Sequence, residues 1–101
     1  MVPRAEVDHW LDLEVALAQR CTAVAHAIGR AQQRAFGARR VGLVIAGFEV
    51  PHAHVHVFPA DTMGDFDFAH VDQAPDPAGL HAAAEAIRGE LTALGHPEAS
   101  A

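Results

Sequence analysis

At 101 residues with a formal net charge of -6, the chain is long enough for one domain with a modest core, to which subunit contacts would be a natural supplement. The acidic balance excludes a sequence-independent nucleic-acid binder, which needs a basic surface to release counterions from the phosphate backbone; a small anion held by histidines, backbone N–H groups and one or two arginines is still allowed. Half the residues are apolar and only 6% aromatic, and with alanine abundant this composition points to helices packed closely on a small sheet.

Cys21 is the single cysteine, so no intrachain disulfide and no thiolate metal cluster can be built within one chain. The segment Met1-Val2-Pro3-Arg4-Ala5-Glu6 lacks the apolar stretch of a secretory signal, and the longest apolar run, Val41 to Phe48, is too short to span a bilayer. A cytoplasmic protein without a membrane partner is expected.

Met1-Val2-Pro3-Arg4 reads as an extended segment, because Pro3 has no N–H and biases Val2 away from helix. Asp12 is placed as the N-cap of a helix from Leu13 to about Phe36, in which Leu17, Cys21, Val24, Ile28, Ala31 and Ala35 recur at alternating spacings of four and three. Gln19, Arg20, Gln32, Gln33 and Arg34 fall mostly on other faces, and Gly37 stops the helix. His26 reads as a surface residue. Gly29 costs about 1 kcal/mol of helix propensity against alanine and reads as a tolerated position.

The β-branched run Val41–Gly47 is predicted to be a buried strand, joined through Val50-Pro51 by a short antiparallel hairpin to a second strand, His52–Phe58, which Pro59 ends. Residues 60 to 75 form a loop in which Phe66 and Phe68 stand as aromatic pegs among Asp61, Asp65, Asp67 and Asp72. Asp76-Pro77 opens a second helix with Leu80, Ala84, Ile87, Leu91 and Leu94 on one stripe, and Gly95 stops it. The expectation is a single α+β domain over residues 1–95, with a small antiparallel sheet packed against the long helix, and a flexible tail over 96–101.

Three of the eight histidines lie in Pro51-His52-Ala53-His54-Val55-His56-Val57-Phe58. On an extended backbone a spacing of two puts His52, His54 and His56 on one face and Ala53, Val55 and Val57 on the other. Three readings compete for this imidazole face. As a metal site it is awkward: alternate residues stand about 6.6 Å apart and the outer pair about 13 Å, so two histidines can share an ion more readily than three. As a solvated face it is poorly built, since β-branched residues would stabilise it better and charged imidazoles would repel one another. As a nucleophilic site acting on phosphorus it is well suited, because an imidazole that titrates near pH 6.5 is largely neutral at cytoplasmic pH and attacks without a separate base.

The run His52-Ala53-His54-Val55-His56-Val57-Phe58 resembles the His-φ-His-φ-His-φ-φ signature of the histidine triad (HIT) superfamily, and Glu49-Val50-Pro51 resembles the approach to the triad in its bacterial members. The likeness extends to Val2-Pro3-Arg4, His9-Trp10-Leu11-Asp12-Leu13, the long helix, Val41 to Ala46 and Met63-Gly64-Asp65-Phe66-Asp67-Phe68, in the family's order. It implies a nucleotide hydrolase or transferase acting at the α-phosphorus of a purine nucleotide conjugate, of phosphoramidate or dinucleoside polyphosphate type, through a covalent nucleotidyl-histidine. His54 would be the nucleophile, His56 would contact the phosphate and manage the leaving-group proton, and His52 would orient His54 through its backbone carbonyl. Glu49, Val50 and Pro51 would border the substrate. The resemblance further implies a homodimer that needs no metal or other cofactor.

This sequence departs from the family at three places. Glu49 stands where many members have serine or threonine, Glu6 stands where the better-studied branch often has histidine, and the family's strands ahead of Val2-Pro3-Arg4 are not part of this chain. The alternative is therefore a catalytically degenerate, nucleotide-binding or structural member of the same superfamily.

Overall fold

The computed structural model describes residues 1–100. Its elements are a helix α1 (Val15–Phe36), strands β1 (Arg40–Val44) and β2 (His56–Ala60), and a second helix α2 (Pro77–Ala93), with 3-10 turns at Trp10–Asp12, Met63–Phe66, Phe68–His70 and Pro97–Ser100. The architecture is the expected α+β one. A two-stranded antiparallel sheet lies against α1, and α2 packs on α1 away from the sheet.

The end of α1 and the start of α2 follow their sequence signals. Gly37 adopts a left-handed conformation at φ 64° and its N–H donates to the Gln33 carbonyl, a geometry that costs glycine nothing. The Asp76 carboxylate accepts from Ala78 N–H ahead of Pro77 at the start of α2. The start of α1 differs from expectation: Asp12 closes the 3-10 turn instead, and Glu14 occupies the cap position without a side-chain hydrogen bond.

The face that α1 buries is also rotated from the expected stripe. Ala25, Gly29, Ala31 and Gln32 are its buried residues, while Leu17, Cys21, Val24, Ile28 and Ala35 are half-buried. Gln32 was expected on a polar face. It lies inward because its Nε2 donates to the Val57 carbonyl at 3.0 Å, so a side-chain bond joins α1 to β2. Gly29 is a close approach and more than a tolerated position: a Cβ there would stand 3.1 Å from Val41 Cγ1. His26 is exposed as expected.

The ladder runs in the register Arg40↔Ala60, Val41↔Pro59, Gly42↔Phe58, Leu43↔Val57 and Val44↔His56. It is shorter than the predicted strands Val41–Gly47 and His52–Phe58, and at its other end it runs on to Arg40 in β1 and to Pro59 and Ala60 in β2. Residues 45–55 connect the strands, so the short hairpin is replaced by a long excursion. Pro59 lies within β2, where a two-stranded ladder leaves each strand an open edge at which a missing N–H costs no pairing.

Ala53–Val55 is paired by a different part of the chain. Met1 and Val55 exchange two backbone bonds, the Met1 amino group donating to the Val55 carbonyl at 3.0 Å and Val55 N–H donating to the Met1 carbonyl at 2.8 Å, and Ala53 N–H donates to Val7 O at 2.7 Å. The extended start of the chain thus takes over where β1 ends.

Small residues fill the core. Ala25, Ala31, Ala53, Val55 and Ala60 are buried, and no large side chain among the described residues is fully enclosed. Arg34 Nε and a Glu90 carboxylate oxygen, 2.6 Å apart, tie α1 to α2. After α2, Gly95 turns at φ 93° and Pro97–Ser100 forms a 3-10 turn. Of the segment expected to be a flexible tail, Ala101 lies outside the described residues. Among the described residues, no helix is long and apolar enough to cross a membrane.

Candidate active site

The alternation of the histidine segment survives although only His56 belongs to the ladder. Ala53 and Val55 are buried, and His52, His54 and His56 are each half-buried on the other side. Two apolar residues one step apart anchor the segment inward, which forces the imidazoles between them outward.

The three imidazoles then part company. His52 Nε2 lies 2.8 Å from the Pro3 carbonyl oxygen, so this ring is spent on fastening the N-terminal segment. His54 Nδ1 lies 2.9 Å from the His52 carbonyl oxygen. A carbonyl only accepts, so Nδ1 carries the proton and Nε2 keeps its lone pair. The His54 and His56 rings meet edge to face, with centroids 4.9 Å apart and planes at 82°. Among the described residues, no group of three or more His, Cys, Asp or Glu side chains is arranged to hold a metal ion.

His54 and His56 open into a cleft of about 1040 Å³. Glu49 and Val50 line one wall together with Phe48, whereas Pro51 and His52 do not reach it. The opposite wall comes from the stretch read in the sequence as a loop with aromatic pegs, to which no site residue was assigned: Asp65, Asp67 and Phe68 line it, along with Val71 and Gln73. The signal available in the sequence was the phenylalanine pair itself, aromatic residues placed in an acidic loop where burial alone does not explain them.

That loop is held by its own backbone. Asp65 accepts from Asp61 N–H at 2.8 Å and Thr62 N–H at 3.2 Å, closing a capping box with Thr62. These two bonds hold its carboxyl below the usual aspartate range. Asp67 accepts from Ala69 N–H at 3.0 Å and so caps the next turn. Phe68 is delivered by that turn onto His56, with ring centroids 5.1 Å apart.

His56 is held below the ordinary imidazole range, first by burial, then by the neighbouring His54 and the terminal ammonium of Met1. It is therefore largely uncharged at neutral pH. Among the described residues the lining includes three carboxylates, Glu49, Asp65 and Asp67, together with Met1, and neither lysine nor arginine.

The structure is thus a two-stranded sheet on a long helix, with two imidazoles of alternate residues facing a cleft and a third bonded to the N-terminal segment behind them. The family model described as the HIT domain matches residues 1–63, and the chain belongs to the HIT family. Members of this family are generally nucleotide hydrolases or transferases. Among solved structures, the chain is similar to a histidine triad (HIT) protein from Sinorhizobium meliloti, at 21% identity and a TM-score of 0.69 over 91% of this chain and 70% of that one. At that identity the likeness concerns the fold.

Proposed function

We propose that the protein cleaves a purine nucleotide conjugate at its α-phosphorus, with His54 Nε2 as the nucleophile. The observation that carries this reading is the His54 Nδ1 to His52 carbonyl bond, which leaves a lone pair on the ring nitrogen remote from the backbone. Attack forms an N–P bond while the bond from phosphorus to the leaving group breaks. An anionic phosphate beside His56 favours the charged form of that ring, so substrate binding itself loads the proton that the leaving group takes. Water then attacks phosphorus, the N–P bond breaks, and the water's proton returns to His56 as the mononucleotide departs.

The lining favours one leaving group over another. Three carboxylates repel a polyphosphate chain and attract an amine, so a phosphoramidate fits this cleft better than a dinucleoside polyphosphate. Glu49, one of the three, stands where many members of the family have a hydroxyl residue.

The same acidity supports a second reading, a nucleotide-binding or structural member without turnover, because it weakens capture of any phosphate. Incubation with an adenosine phosphoramidate labelled in the nucleotide, followed by quenching and mass spectrometry, separates the two. The expected result is an acid-labile adduct on His54 and release of AMP. An adduct elsewhere overturns the mechanism, and binding by calorimetry without product favours the second reading.

A homodimer is part of the proposal. Leu11, Val15 and Leu43 are 67%, 73% and 50% exposed, and β1 pairs on one side only, so an apolar surface and an open strand edge remain for a second copy to cover.

A further inference from the structure

Five rings run in unbroken contact from the candidate nucleophile to the residues that lie over Gly42 of β1. His54 meets His56, His56 meets Phe68 at 5.1 Å between centroids, Phe68 meets Phe58 at 5.7 Å, and Phe58 meets Phe66 at 5.0 Å. The two phenylalanine contacts are edge to face, the geometry that the ring quadrupoles favour.

The far end of this series rests on Gly42. A Cβ there would stand 2.6 Å from Phe58 Cζ and 2.8 Å from Phe66 Cε2, distances that real side chains do not tolerate. Gly42 pairs with Phe58 across the ladder, so the ring of Phe58 folds back over the bare backbone of its own partner. Only glycine gives it that seat. Phe66 and Phe68 then close on Phe58 from the loop, which Asp65 and Asp67 hold through their backbone bonds.

Phe68 is 39% exposed, so burial is a poor reason for a phenylalanine there. Its contact with the imidazole is a better one. We infer that Phe68 is a positioning residue for the triad: its ring, seated through Phe58 on Gly42, packs on the His56 imidazole and fixes that ring edge-on to His54. The role in turnover rests on the function proposed above, but the contact itself does not.

The groups facing His56 are His54 on its own segment, the Met1 ammonium bonded at Val55, and the carboxylates of Glu49, Asp65 and Asp67 that line the same cleft. Carboxylates would raise the titration of His56. The ring is nevertheless held below the ordinary imidazole range, first by burial, and Phe68 is the phenylalanine in ring contact with this imidazole.

The test is an NMR titration of the histidine rings in the full-length protein and in Phe68→Ala, Phe68→Leu and Phe68→Tyr, which needs no substrate. In Phe68→Ala the His56 midpoint is expected to rise toward the ordinary imidazole value. In Phe68→Leu, which keeps apolar bulk and thus protects the fold, it rises less, and in Phe68→Tyr it stays as in the parent. Where phosphoramidate turnover is measured, Phe68→Ala lowers kcat by on the order of 10-fold to 100-fold with a smaller change in KM, as expected of a misplaced group. An unmoved His56 midpoint in both Phe68→Ala and Phe68→Leu, or a tyrosine variant that behaves like alanine, overturns the assignment. An inactive parent protein would count against the proposed function and would leave the titration fully decisive.

Discussion

The Nδ1 atom of His54 lies 2.9 Å from the carbonyl oxygen of His52, while the ring of His52 itself turns the other way and bonds the Pro3 carbonyl at 2.8 Å. One residue therefore serves the site through its backbone and the fold through its side chain. The two duties separate by mutation.

His54→Ala is expected to abolish turnover and leave the unfolding midpoint nearly unchanged, because its one backbone bond reaches only two residues back and joins no separate segment of the chain. His52→Ala reverses the emphasis. It keeps the carbonyl that orients His54 but loses the bond to Pro3, at a cost of about 0.5–1.5 kcal/mol. Chemical denaturation and phosphoramidate turnover, measured on both variants, check the pair. Full activity in His54→Ala would refute the proposed nucleophile.

The second expectation concerns pH. His56 titrates below the ordinary imidazole range in the folded chain, first because it is buried, so protons bind more readily to the unfolded chain. The contribution to stability is full above the unfolded value of about 6.5, declines as pH falls through the lower folded value, and is constant below it. The parent protein should lose stability through that window more steeply than His56→Gln. Urea midpoints measured across mildly acidic pH decide it, and parallel curves for the two proteins would count against the burial of this ring.

Gln32 provides a third. Its Nε2 is the donor to Val57 O and its side chain is 7% exposed, so Gln32→Ala strands a carbonyl in β2 next to the triad strand and opens a small void. The expected loss is about 1–3 kcal/mol, from the unsatisfied group and the void together. Equilibrium unfolding reads this directly, and a variant as stable as the parent would show that water replaces the amide.

The fourth concerns assembly. Leu43→Glu places a charge on the exposed side of β1, where Leu43 is 50% exposed. Sedimentation of the parent at micromolar concentration is expected to give a species of twice 10.7 kDa, and the variant to give the monomer. A parent protein that sediments as a monomer refutes the dimer.

Much of the fold is written in local sequence. The Gly37 stop, the Asp76-Pro77 start and the period of two through Ala53 and Val55 each follow from chemistry within a few residues, and each stands in the structure as the sequence predicts. The triad signature carried the family for the same reason, since its spacing alone sets which side chains share a face.

What the tertiary structure decided is every feature that depends on residues distant in sequence. Gln32 looks like a surface residue until Val57 supplies its acceptor, and Gly29 looks like a tolerated weakness until Val41 crosses it. His52 reads as a third member of one imidazole row, yet Pro3, 49 residues away, claims its ring. Gly42 lies within the predicted strand with no assigned role and proves to be the seat for Phe58 and Phe66. Periodicity reports which way a side chain points relative to its own backbone; which partner waits there depends on chain segments that meet only when the molecule folds.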